Sequence, residues 1–412
     1  MNVGPRFIAG SVVSQFGNWM SVTAVMVYLQ VEAGAAAVSL YFLLRTLLPY
    51  FLARFLVRTG SSRSLGAWWA SSQLILAMLS VAIAIFGHDV SIILALTAIA
   101  SIFQAASNPS VMAMIGILVP DEHKGRVITS VSTSTSLALV AGPAVGGLLT
   151  AVGGLPLVFA IDAATYLIAI ALVPWRGCRE SSSDGAHPGT ARWRVLLSFF
   201  VAPAAISRVR TIKRLVAIWI IFAILGGVLN ALELPVFDQI QQLSAQEIGF
   251  VIAAFGVGGL VVFIAATFFR YAPRSLAVSL VMGAGLITWL LVDGWLIYPA
   301  FFIAGVGYSL FNSSMRARFQ EAFDAARVTA SDCWAWLFQI NMLVSLLVFG
   351  ISTIYFAAVD ELLWPILLLT ALTIVLGFVC SLPGSRREIA TTENATDEVD
   401  VSRRSTRPHT AP

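Results

Sequence analysis

The chain has 412 residues, 58% of them hydrophobic and 11% charged, with a formal net charge of +4. A soluble domain carries roughly 25% charged residues to cover its surface, so water is excluded as the main solvent of this chain. The small positive charge is no nucleic-acid footprint either, because its placement follows a membrane.

Apolar residues come in blocks of about 20, the number a helix needs to cross a hydrocarbon core about 30 Å thick. The predicted spans are 7–31, 36–57, 65–86, 91–118, 127–150, 156–174, 214–235, 246–269, 276–292, 297–314, 333–357 and 362–382. They define an all-α membrane protein with twelve transmembrane helices in two pseudo-symmetric six-helix bundles, residues 1–174 and 214–382. The first stretch is too long for a signal-peptide core and lacks a small-residue cleavage site, so it is expected to be a retained helix.

In that first span Ser11, Ser14, Gln15, Asn18 and Ser21 recur at spacings of three and four and share one helix face. Lipid penalises such a face, so it points into a neighbouring helix or into a watery cavity. The second span carries Arg45 well inside the hydrocarbon, where a charge costs about 2.5–3.5 kcal/mol on insertion scales. An ion pair and contact with an anionic substrate group both account for it. Ser101, Gln104 and Asn108 in the fourth span, and Ser309, Asn312 and Ser313 in the tenth, repeat the polar pattern more weakly.

The fifth span contains GPAVGG, that is Gly142, Pro143, Gly146 and Gly147 around two apolar residues. Pro143 lacks a backbone donor and predicts a kink, while the glycines admit another helix at close range. Tight packing and a bend that seals a cavity in one state are both consistent with it. Asp162 lies in the sixth span; Asn230 and Glu233, three apart in the seventh, share a face near its outer end, where Pro235 is expected to begin a loop. The connector 175–213 holds an apolar run of about 13 residues flanked by arginine, too short to span and suited to the interface. The tail 383–412 is polar and charged with both signs, the composition of a disordered segment. The 11 Trp and 26 Phe are expected mainly as lipid-facing or interfacial anchors.

All 25 Lys and Arg except Arg45 fall in the termini and in every second loop, whereas the alternate links, such as 87–91, 151–155 and 292–295, hold none. Translocating positive charge is unfavourable. Both termini and the long connector are therefore predicted to be cytoplasmic, with the protein in the cytoplasmic membrane. Cys178, Cys333 and Cys380 fall at or near that face, where thiols stay reduced and no disulfide is expected.

The halves echo each other: residues 107–130 resemble 311–331, with Asn108 matching Asn312, and parallel six-helix repeats are a transporter architecture. On these features the chain resembles the major facilitator superfamily. GPAVGG resembles the GPxxGG core of a motif in its drug:proton antiporters. RTLLP at 45–49, NPS at 108–110, GR at 125–126 and VFAIDAATYL at 158–167 are similar to the branch of macrolide exporters and the enterobactin exporter. The superfamily's GxxxDRxGRR-like signature has its counterpart in RFLVRTGSSR at 54–63, which keeps basic residues but lacks the acidic one that latches helix ends in relatives. Asn18 stands where an acidic residue is frequent. The resemblance implies that the first and seventh helices line a central cavity, that the sixth stands away from it, and that the helix-5 motif accompanies export.

These readings converge on a secondary exporter of a small amphipathic molecule (a drug, siderophore or secondary metabolite), working by proton exchange and alternating access. The chain is read as a monomer with neither cofactor nor metal. The cavity and coupling candidates are Gln15, Asn18, Arg45, Gln104, Asn108, Asp162, Asn230, Glu233 and Asn312. Uptake or facilitated diffusion on the same fold is the alternative that the missing loop acid and neutral Asn18 keep open; a non-transporting membrane sensor or assembly partner is another. The chain has no GxxxxGK[ST] phosphate loop, which speaks against direct use of ATP. His88, His123, His187 and His409 lie in loops or the tail, and the spans hold no paired Cys or carboxylate cluster, which speaks against an enzyme.

The charge asymmetry makes a direct prediction. In a background without native cysteine, single cysteines at Ser91 and Asp293 should react with an impermeant thiol reagent outside intact cells, and those at Ser62 or Ser275 should be protected. Labelling of the second pair alone reverses the orientation.

Overall fold

The computed structural model describes residues 3–60, 65–118, 121–172, 209–268, 278–325, 330–359 and 361–381. Among the described residues there are ten α-helices and no strand. They are α1 (Val3–Gly60), α2 (Leu65–Phe86), α3 (Val90–Leu118), α4 (Asp121–Leu172), α5 (Arg210–Pro235), α6 (Ala245–Phe268), α7 (Ser279–Leu291), α8 (Ile297–Ala325), α9 (Ala330–Ala358) and α10 (Leu363–Ser381). The interfacial run of the long connector, the charged tail, Cys178 and the loop residues 61–64 lie outside the described residues.

Two helices are too long to cross a bilayer once. A straight helix of the length of α1 would measure about 87 Å, nearly three times the hydrocarbon thickness. Gly34 interrupts it at φ 73°, ψ −172°, a conformation that glycine adopts without a Cβ clash. Asn18 and Arg45, on either side of Gly34, share a hydrogen bond of 3.1 Å, which a straight helix forbids and a reversal provides. Gly154, at φ 64°, does the same in α4: Gly146 and Asp162, equally far from it in sequence, both lie against α1, at Met20 and at Gly17. With each break counted, the ten helices supply twelve helical segments, six before residue 173 and six after residue 208.

Eight helices hold stretches long and apolar enough to cross a membrane, and 90–105 and 279–291 are shorter apolar ones. Several helices overrun the predicted spans: α4 begins at Asp121 instead of 127, and α8 continues to Ala325 instead of 314. Hydropathy marks only the part of a helix that sits in hydrocarbon, while backbone hydrogen bonding carries on beyond it. The seventh helix is a larger correction. It does not end in a loop at Pro235 but runs on as a π turn over Val236–Ile240.

The surface is inverted relative to a soluble protein. On α2, Leu74, Met78, Val81 and Ile85 form an exposed stripe, while Gln73 and Ser80 are buried at 3% and 4% exposure. Apolar side chains meet the lipid and polar ones find partners inside, as hydrocarbon demands. The aromatic residues correct another expectation. Besides exposed Trp295, Trp364 and Phe378, many form the interior: Trp69, Trp289, Phe301, Phe311, Phe319 and Phe323 are almost wholly buried. Trp289, Phe237 and Phe301 pack edge-on or tilted at 5.0–5.7 Å, the spacing that aromatic quadrupoles favour.

Because the segments alternate in direction, the short turns at Gly34, 87–89, Gly154, 241–244 and 292–296 share one end of the protein. Tyr28 donates to the carbonyl of His88 there at 3.3 Å. The two halves also meet toward this end. Phe42 of α1 stacks on Phe349 of α9, with centroids 5.1 Å apart. Gln30 Nε2 donates to Asp238 Oδ2 of the π turn at 3.0 Å. Between α4 and α6 two backbones touch: a Cβ on Gly147 would fall 2.8 Å from the Cα of Gly249, and one on Gly249 would fall 2.8 Å from the carbonyl oxygen of Pro143.

In hydrocarbon, close packing of small residues replaces the hydrophobic effect as the force between helices. Gly146→Leu, whose side chain would run into the Met20 backbone, is therefore expected to cost about 1–3 kcal/mol by overpacking and to lower the melting temperature of the purified protein. Ala164→Leu on the exposed face of α4 should leave it unchanged. Equal melting temperatures for the two variants would remove the glycine contact from the stability of the fold.

Candidate functional site

The polar stripe of α1 divides between two environments. Ser11, Ser14 and Ser21 are buried against neighbouring helices, with Ser14 donating to Gln73 Oε1 of α2 at 3.2 Å. Gln15 and Asn18 are half-buried, and Asn18 faces the segment of α1 beyond Gly34. Helix packing thus accounts for the serines, and the amide groups stand at the edge of that packing.

Arg45 is the centre of the arrangement. Its Nη1 donates to the Tyr41 hydroxyl at 2.7 Å, and its Nη2 to Asn18 Oδ1 at 3.1 Å and to Gln104 Oε1 of α3 at 3.2 Å. Tyr41 sits one helical turn earlier, which brings its side chain alongside, and the guanidinium carbon lies 5.7 Å from its ring centroid, within cation–π range. All three acceptors are neutral. The sequence left open whether Arg45 is an ion-pair partner or a ligand contact; among the described residues it is held by amides and a phenol.

Asp162 is 2% exposed, between α1, α2 and α4. Ser80 Oγ donates to its Oδ2 at 3.0 Å, and Gly17 of α1 provides the room it occupies, since any side chain there would collide with the carboxylate. The Arg45 charge acts on it across the bundle, although the carboxylate takes none of the guanidinium's hydrogen bonds. The outer face of this helix is exposed, while Asp162 packs on α1 and α2 of its own bundle.

Glu233 is half-buried on α5, and no hydrogen bond to its carboxylate occurs among the described residues. The backbone carbonyls of Glu233 and Leu232 accept from the amide of Val236, so the residue lies within the helix rather than at its solvated end. Asn230, three residues earlier, is exposed. Asn312 of α8 is occupied locally, accepting from Arg316 Nε at 3.1 Å. Asn108 is on the backbone of α3, but its side chain lies outside the described residues.

In the GPAVGG stretch, α4 passes through Pro143 as helix and its non-helical residue is Gly154. Gly142 and Gly146 pack on Trp19 and Met20 of α1, and Gly147 packs on Ala245 and Gly249 of α6. Three participants escaped the sequence reading. Tyr41 and Ser80 are ordinary helix residues until tertiary contacts bring them to Arg45 and Asp162. Gly249 had no signal beyond being a small residue in an apolar span.

Among solved structures the fold has many likenesses. A bacterial homologue of the human lysosomal transporter Spinster, inward-facing and unoccupied, aligns with a TM-score of 0.64 at 15% identity over 95% of this chain and 94% of that one. The nucleoside transporter NupG aligns at 0.66 and 15% identity over 92% and 98%, and the peptide transporter POT, as a point mutant in complex with sulfate, at 0.69 and 13% over 92% and 93%. At these identities the likeness establishes the fold alone. No match is found among the curated proteins. The model of the Major Facilitator Superfamily matches residues 7–340, well over half of the chain; the protein belongs to that superfamily and is a multi-pass membrane transporter.

Proposed function

We propose that the protein exports a small amphipathic molecule in exchange for protons, by rocking of its two six-helix bundles, 1–174 and 214–382, about a site between them. Both termini lie in the cytoplasm, the short-turn end faces outward, and the monomer is the working unit. The observation that carries this reading is the seating of the GPAVGG motif. Gly147 meets Gly249 backbone to backbone, so the motif that resembles one in drug:proton antiporters occupies a contact between the halves and not a lipid face. A glycine-to-glycine contact lets two helices slide or part without a side chain catching.

Glu233 is the proton carrier in this scheme. Its carboxylate has no hydrogen-bond partner among the described residues, and its helix leads directly into the π turn that carries Asp238, where Gln30 joins the halves. Asp162, tied to Ser80, serves instead as a fixed counter-charge to Arg45.

Two measurements test the proposal. Cells lacking the gene should accumulate more of some antibiotic, dye or siderophore than cells carrying it; the opposite sign establishes uptake. In proteoliposomes with an imposed pH gradient, Glu233→Gln should abolish uphill movement of that compound while keeping exchange, and Asp162→Asn should retain coupling. If only Asp162→Asn uncouples transport, the proton travels on α4, and if neither variant does, these acids carry no proton.

A further inference from the structure

We infer that the cargo is an amphipathic anion, and that the Arg45 guanidinium takes its charged group. The inference rests on the transporter reading and adds the substrate class. An arginine deep in a bilayer requires a purpose; the three groups that hold it are neutral, and Asp162, whose charge acts on it, takes none of its hydrogen-bond donors. They also use only part of it: a guanidinium has five N–H donors, and the bonds to Tyr41, Asn18 and Gln104 leave two of them without an acceptor among the described residues.

Its place in the fold indicates what reaches it. Phe42, one turn before Arg45 on the same face of α1, stacks on Phe349 of the opposite half, so Arg45 follows directly below the seam where the halves meet. Gln15, Asn18, Arg45 and Gln104 come from α1 and α3, and all are half-buried. Hydrogen bonds join three of them, and partly exposed polar groups in mid-membrane cannot face lipid; they face the space between the bundles. Their donors suit a carboxylate, sulfonate or phosphate, with the Asn18 and Gln104 amides fixing the plane of the guanidinium.

The other half supplies a surface for an apolar body. Phe222 of α5 packs on Tyr308 and Phe311 of α8 at 5.0 and 4.7 Å, and Tyr308 packs on Phe255 of α6 at 5.6 Å. Phe222, Gly226, Phe255 and Tyr308, with buried Met282 and Leu286 of α7 behind them, border an apolar gap of about 10 Å³, the size of one water; a Cβ on Gly226 would meet nothing within 4 Å, so an apolar group enters there only as these rings move apart. Tyr308 and Arg45 are each 11 residues from the short-turn end of their helices, Ile297 and Gly34, which places them at the same depth of about 16 Å. Outward movement of an anion and inward movement of a proton shift charge in the same sense, so an inside-negative potential favours both halves of an export cycle.

The test uses a matched pair of fluorescent probes, the anion 1-anilinonaphthalene-8-sulfonate and its uncharged counterpart N-phenyl-1-naphthylamine. Binding is measured to the full-length protein in nanodiscs of zwitterionic lipid against empty discs. The wild type should bind the sulfonate saturably. Arg45→Gln should weaken it at least tenfold, the worth of one charge-assisted contact, with the neutral probe unchanged and Arg45→Lys intermediate. Asn18→Asp keeps the arginine and its hydrogen bond but places an anion on it, and should weaken the sulfonate similarly in a folded protein. Absence of saturable sulfonate binding to the wild type, unchanged sulfonate binding by Asn18→Asp, or equal loss of both probes in Arg45→Gln overturns the assignment. Because binding is read without transport, such a result leaves the direction of transport to the accumulation measurement.

Discussion

Hydrocarbon offers the backbone no hydrogen-bond partner, and the rest of this structure follows from that constraint. Every peptide group within the membrane must be satisfied by its own segment, which is why the described chain is helical from end to end. A helix that satisfies itself cannot turn back without a break. Gly34 and Gly154 supply two such breaks, at φ values a side chain would oppose. The reversal at Gly34 brings Arg45 to Asn18, and the reversal at Gly154 brings Asp162 to Gly17. The polar centre of the N-terminal half is thus a consequence of where two helices are allowed to stop.

The second consequence is that association rests on shape. Water does not drive these helices together, so contact depends on small residues and on polar groups that find each other. Gly142 and Gly146 hold α4 against α1, and Gly147 against Gly249 of α6 continues the same surface into the other half. A single short motif therefore serves the interior of one bundle on one face and the contact with the other bundle on the next. One helix is thereby packed both within its own bundle and against the other.

The two charged centres differ in kind. Arg45 and Asp162 are near enough for their charges to interact, but each is held by neutral groups, Tyr41, Asn18 and Gln104 for one and Ser80 for the other. Separation of this sort lowers the cost of burying both without locking them into a direct pair. Glu233, whose carboxylate has no hydrogen-bond partner among the described residues, lies on α5 close to the π turn whose Asp238 receives Gln30. π turns interrupt the regular ladder and recur at functional positions, and here the turn lies where the two halves join.

The sequence by itself determined the all-helical membrane class and the pattern of charge between the loops, because each depends on length and composition along the chain. It also marked the residues that hydrocarbon does not tolerate idly: Arg45, Asp162, Glu233 and the glycines around Pro143. It misplaced the end of the seventh helix, since a proline that usually ends a pattern is carried here through a π turn. It sent the aromatic residues outward, since hydropathy does not distinguish lipid from interior. Partnership was decided by the tertiary structure alone. Asn18 and Gln104 reach Arg45 from different helices, Ser80 reaches Asp162 across the bundle, and Gly249 meets Gly147 from the other half. No spacing within one helix encodes such pairs, because each depends on the rotation and depth at which separate helices pack.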